Sequence, residues 1–167
     1  YVILAIYSWA RNMLSNQRVK PRPVLPGSFL FITRRATQRQ FLLRPDDETN
    51  NAFVYCLAEA AQRFDVNIIL SQMMWNHHHT ILYDPHGHEV DKLVYVATNP
   101  VKDWLVDKVH RWPGPDFVNG LLTGTTMKAH RPHHFFSEHG PMPPTVELEL
   151  RLPAHFEDTH VLLSELR

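Results

Sequence analysis

The chain has 167 residues, 44% hydrophobic and 20% charged, which fits one globular domain with appendages and excludes a disordered or fibrous protein. A lone cysteine, Cys56, excludes an intrachain disulfide and suggests a reducing, cytoplasmic setting. The net charge of zero hides an asymmetry: residues 1–45 hold eight Arg or Lys and no acid, whereas residues 138–167 hold six acids against two arginines. Segregation of this kind marks either a phosphate-facing end or a solvated basic tail.

The opening run YVILAI is far short of the roughly 20 apolar residues that span a bilayer, and no basic leader precedes it, so neither a membrane anchor nor a signal peptide is expected. Pro21, Pro23 and Pro26 make a linker that ends an N-terminal extension over residues 1–25. A core is expected over 26–112 and a C-terminal arm with a terminal strand over 113–167.

Residues 28–34 (SFLFITR) read as a first strand, with Arg34 and Arg35 leaving it on opposite faces. The polar stretch that follows holds Gln38, Arg39 and Gln40, suited to phosphates and base edges or simply to an exposed loop. Asp46 and Asp47 then start a helix, with Phe53, Leu57, Ala60, Ala61 and Phe64 on one apolar stripe. Cys56, inside it, reads as a small buried apolar residue. Residues 66–75 form a second strand; Met73, Met74 and Trp75 at its end are packing or a stacking platform.

Residues 78–83 (HHTILY) alternate as a half-buried strand does, so His77 and His79 project from one face and His78 from the other. Two imidazoles so placed form a pincer for one divalent metal, although a chain with 12 His also produces such pairs by chance. After a turn at Asp84–Gly87 the spacing of Val90, Leu93, Val94 and Ala97 predicts a helix, with Tyr95 and Asn99 four apart on one face. A further helix, or a kinked continuation, is predicted over 101–112, with Leu105, Val106 and Val109 on its apolar side. Residues 116–143, rich in Gly, Pro and His, read as a loop-rich arm. There Arg131, His133 and His134 beside Phe135 and Phe136 suit single-strand binding or ordinary packing. Strict alternation over 145–152 (TVELELRL) predicts a half-exposed strand. Strands joined by hairpins, with helices between, give an α+β sandwich with an antiparallel sheet.

Four segments carry a family resemblance: Pro26-Gly27 with FLFITRRATQRQFLLRP (29–45), AFVYCLAEAAQRF (52–64), MMWNHHHTIL (73–82) and YVATNPVKDWLV (95–106). A later piece, HRPHHFFSEHGPMPPTVELELRLP (130–153), is similar to the tail of one subgroup. Together they resemble the REP-associated tyrosine transposases, a branch of the HUH single-tyrosine transposases that act on single-stranded DNA. The resemblance implies a ferredoxin-like core carrying the tyrosine on an extra helix. It implies Tyr95 as nucleophile, and His77, His79 and Asn99 as ligands of Mg²⁺ or Mn²⁺. Arg34, Arg35, Gln38, Arg39 and Lys102 become the expected contacts to single-stranded DNA bearing hairpins or palindromic repeats, and a homodimer is consistent with it.

Two departures stand out. The middle position of the histidine motif, usually bulky and apolar, is His78, and Tyr95 follows His79 by only 16 positions where relatives carry a longer central segment. The expectation is therefore a metal-assisted DNA strand transferase, intact or impaired, with a non-catalytic single-strand-binding domain of the same fold as the alternative. A metallohydrolase unrelated to DNA would need a placed carboxylate, for which Asp84, Glu89 and Asp91 are weak candidates.

Overall fold

The computed structural model describes residues 29–83 and 96–152. The chain enters on β1 (Leu30–Arg35), passes a single 3-10 turn at Thr37–Arg39 and starts α1 (Asp47–Phe64). Asp46 caps that helix by accepting from the Thr49 amide at 2.8 Å, and Asp47 and Glu48 fill its first turn. After α1 come β2 (Ile68–Met73) and β3 (His77–Leu82), joined by the tight Trp75-Asn76 turn.

β3 lies between β1 and β2 and is antiparallel to both, so β1 and β2 run parallel and are connected through α1. The register sets Thr33 and Gln72 on either side of His79, and Arg35 opposite His77. Arg34 pairs with His78 instead, so the two arginines do leave β1 on opposite faces. Among the described residues β1 is hydrogen-bonded on one side only, and its largely exposed, arginine-tipped edge is of a kind that discourages further strand pairing.

α1 was expected to bury one stripe, yet it is buried continuously from Ala52 to Ala60. The reason is a second layer. One side of the helix meets the three-stranded sheet, where Phe53 packs edge-on against His78 and Phe117. Its other side is covered by a hairpin of β4 (Met127–His130) and β5 (Thr145–Leu148), which add Ala129, Val146 and Leu148 to the same core. A helix between two layers loses its single-stripe signature. Polar side chains stitch the hairpin down. Asn51 exchanges two hydrogen bonds of 2.8 Å with the His130 backbone, Gln62 donates to the Glu147 carbonyl at 2.9 Å, and Tyr55 donates to the Pro143 carbonyl.

The C-terminal part is thus more structured than a loop-rich arm. It contains a short helix (Phe117–Thr123) capped by Asp116, and the 145–148 strand pairs with β4 instead of joining the three-stranded sheet. Of the cluster at 131–136, Arg131 is spent on the Met142 and Glu138 carbonyls, His134 on Glu48, and Phe136 packs on Tyr55. Nor does a helix run over 101–112. α2 spans only Asn99–Lys102, and a 3-10 turn at Val109–Arg111 follows a run of turns and bends. Numbered in order, the Phe117–Thr123 helix is α3. Trp112 closes the β2 side by donating its indole N–H to the Met73 carbonyl at 2.9 Å, and a β-carbon on Gly114 would collide with that indole.

No helix among the described residues is long and apolar enough to cross a membrane. Cys56 is fully buried in α1, and burial, with Glu59 nearby, pushes its thiol up to about 12, so it is inert packing.

Candidate metal centre

His77 and His79 stand side by side on one face of the central strand, their ring centroids 4.9 Å apart and nearly perpendicular. Each ring is held by its Nδ1 edge. His77 Nδ1 lies 2.6 Å from the Asn76 side-chain oxygen, which only accepts, so that nitrogen carries the proton and Nε2 presents a lone pair. His79 Nδ1 lies 2.9 Å from the Thr33 hydroxyl on β1, which can accept from it or donate to it; when the hydroxyl accepts, Nε2 presents the lone pair as in His77. Partners of this kind fix tautomer and orientation for metal-ligating histidines.

Electrostatics favour neutral rings. Burial lowers the His77 pKa, with Arg35 lowering and Asp103 raising it; burial, then His77 and Arg35, press His79 down to about 4, again against Asp103. Both imidazoles are therefore uncharged near neutrality, the form that binds metal. The influence of Asp103 on both rings puts the end of α2 beside the pair.

That turn has an identifiable construction. The Trp104 amide donates to the Val101 carbonyl and the Leu105 amide to the Pro100 carbonyl, both at 3.0 Å, which is a Schellman ending with Trp104 at the left-handed position. Its φ is 58°, a conformation that suits glycine and costs other residues about 1 kcal/mol or more. The tryptophan gains no burial in return, being 94% exposed. Trp104→Gly is accordingly expected to raise stability by about 1 kcal/mol in urea unfolding, and an unchanged or lower midpoint would contradict this account.

Asn99, at the start of α2, is 3% exposed and its Nδ2 has no partner. Gln72, directly across from His79, is also 3% exposed with Nε2 unpartnered. Two orphaned amides on elements flanking the imidazole pair are what a site short of its ligand oxygens looks like. Among the described residues no three His, Cys, Asp or Glu side chains converge. A cation here would rest on two imidazoles, the Asn99 amide and oxygens from water or substrate, a set closer to Mn²⁺ than to Mg²⁺ in softness. No family model, curated protein or solved structure matches the chain.

The remaining expected residues fall in two groups. Tyr95 lies outside the described residues, as does all of the predicted 84–95 turn and helix start. Arg34, Arg35, Gln38, Arg39 and Lys102 are all exposed, with Arg35 sharing the histidine face. Sequence reasoning passed over Thr33, Asn76, Gln72, Asp103 and Phe31, the last stacked almost parallel on His79 at 5.3 Å. Asn76 was findable, since it adjoins His77. The others depend on a cross-strand register or a helix ending that periodicity does not reveal.

Proposed function

We propose that this chain is a single-stranded DNA strand transferase of the HUH tyrosine-transposase type, with weak or lost cleavage. The observation that carries the reading is the paired imidazoles of His77 and His79, each held by Nδ1 and kept neutral, with Asn99 as a separate buried amide whose Nδ2 has no partner. The order β1-β3-β2 around α1 agrees with the first half of a ferredoxin-like sandwich. Mg²⁺ or Mn²⁺ held by His77, His79 and Asn99 would supply charge neutralisation at the scissile phosphate.

The protein's own groups do the rest. Arg35 on the histidine face holds the strand by its phosphates, with Gln38, Arg39 and Lys102 as further contacts, whereas Arg34 leaves β1 on the other face and can only meet a part of the strand that wraps the sheet edge. The Tyr95 phenol oxygen attacks phosphorus, the bond to the 3′-oxygen breaks, and the phenolic proton passes to water while the leaving oxygen is protonated as a 3′-hydroxyl. The resulting 5′-phosphotyrosine retains the phosphodiester energy, so a second strand can be joined without ATP. Self-association belongs to the same reading.

A second reading, a single-strand-binding domain without catalysis, is favoured by one fact: Tyr95 follows His79 by only 16 positions. A short connection leaves the tyrosine less firmly supported than the histidines. Incubation of a labelled hairpin-bearing single strand with Mn²⁺, followed by denaturing electrophoresis, is expected to show a faint covalent adduct or none. An abundant adduct that vanishes in Tyr95→Phe would establish full activity, and one that persists in Tyr95→Phe would remove Tyr95 as nucleophile.

A further inference from the structure

At the hairpin end of the sheet lies a surface that the metal centre does not use. Phe41 is 71% exposed and Leu42 53%, and Trp75 in the β2–β3 turn is 43% exposed. Phe41 and Trp75 meet edge to face with centroids 5.8 Å apart. Trp75 is backed by the buried Trp112 at 6.4 Å, and its carbonyl receives the Leu43 amide at 2.8 Å. Trp75 is therefore backed from within and Phe41 lies against it, while the outer faces of both rings are in water. Met73 and Met74, their neighbours in sequence, are fully buried packing.

What surrounds these rings identifies the partner. From Phe29 to Pro45 the chain has Arg34, Arg35, Arg39 and Arg44 and no acid. Among the described residues no salt bridge engages any of the four. The first acid, Asp46, is exposed and caps α1; its bonds from Thr49, and then Arg44, lower its carboxyl pKa, but Arg44 makes no salt bridge with it. Gln38 and Arg39 are held in the left-handed region at φ 55° and 58°, a strained backbone retained although neither is glycine. The Asn76 side chain bridges to the Arg39 carbonyl at 3.4 Å, while its oxygen holds His77. One residue thus joins this surface to the metal centre.

We infer that Phe41 and Trp75 stack unpaired bases of a single DNA strand whose phosphates lie on Arg39 and Arg44, and that the strand continues from there to His77 and His79. Aromatic rings set among unpaired cations bind single strands because every base has a face to stack, whereas a duplex hides its bases. An apolar protein partner would leave the arginines facing no opposite charge, and an acidic one would have no flat bases to stack on the rings. The inference rests on the proposed DNA-directed reading and adds the bases' binding site to it.

The test uses fluorescence anisotropy of a labelled oligothymidylate with the full chain. Phe41→Ala is expected to weaken binding about 5- to 100-fold with an unchanged slope of log affinity against log salt. Arg39→Ala is expected to reduce that slope by about one phosphate contact. A duplex of equal length should be bound alike by parent and Phe41→Ala. Phe41 is exposed enough that its truncation leaves the fold intact, which unchanged Mn²⁺ titration would verify. If the parent binds single strands and Phe41→Ala binds within about twofold of it, this inference is overturned while the proposed function stands. Loss of concentration-dependent association in Phe41→Ala, with DNA affinity intact, would also overturn it and make the surface a protein interface. A parent that binds no single strand would sink both.

Discussion

Calorimetric titration is expected to show one Mn²⁺ site in the parent, lost in a His77→Ala, His79→Ala double variant and kept in His78→Ala. The double variant removes both lone pairs from the face that carries Arg35 and lies beside Asp103. His78 points into the opposite layer, against Phe53, and offers nothing to that face. Thr33→Val should weaken binding about tenfold or somewhat more, because the hydroxyl that orients His79 is lost while the ligand remains. The pH dependence has a definite sign. Both rings have pKa values below the ordinary imidazole value, so protons compete with metal only on the acid side of about pH 6.5. Binding should therefore be nearly level above neutrality and fall in acid. Undiminished binding in the double variant would dispose of the centre, and with it the transferase reading.

The elements up to β3 were legible because each carries a local signal that agrees with its environment. The α1 cap is written as Asp46 and its core face as Phe53 and Leu57; the β3 alternation separated His77 and His79 from His78, but the expected half-buried strand is buried on both faces from His78 to Leu82 because it lies in the centre of its sheet. What was not legible depends on neighbours. The second layer over α1 escapes a helical-period reading, because Tyr55 and Ala58 are buried only when β4 and β5 lie against them. β4 itself has one buried position, Ala129, too little to register as alternation. The supposed helix over 101–112 ends at Lys102 because Trp104 takes a left-handed turn, a choice that a tryptophan does not advertise. The candidate site divides the same way. The two histidines of the proposed centre sit in a visible His-X-His pattern, whereas Thr33 and Gln72 join them only through register. The arginine-rich stretch was visible as charge, but the rings of Phe41 and Trp75 come together only through the turn that brings Leu43 to Trp75.

The His78→Leu variant is expected to be more resistant to acid than the parent. His78 is 1% exposed, its Nδ1 lies 3.1 Å from the Thr80 hydroxyl, and its Nε2 has no partner. A buried imidazole with one unpaired nitrogen is costly even when neutral, and more so when charged. Burial, then the charges of His79, Arg34 and His77, lower its pKa to about 4. In the unfolded chain the value returns to about 6.5. Between those two values the unfolded state binds the extra proton, so stability is present above the unfolded value and is lost as pH falls towards the folded one. From about pH 7 to about pH 5 this group alone should cost the parent on the order of 2 kcal/mol. His79, itself buried, shifts in the same direction and adds to the fall. Leucine at position 78 removes the titrating group and the orphaned nitrogen together. It leaves Thr80 its other partner, the Ser71 hydroxyl at 2.8 Å, so no new polar group is stranded. Urea unfolding in EDTA at the two pH values should show the parent losing more stability than His78→Leu, with the variant at least as stable at neutrality. Equal losses in the two proteins would mean that His78 is not the group that acid protonates on unfolding, and a variant much weaker at neutrality would mean that the imidazole contributes packing that its unpaired nitrogen conceals.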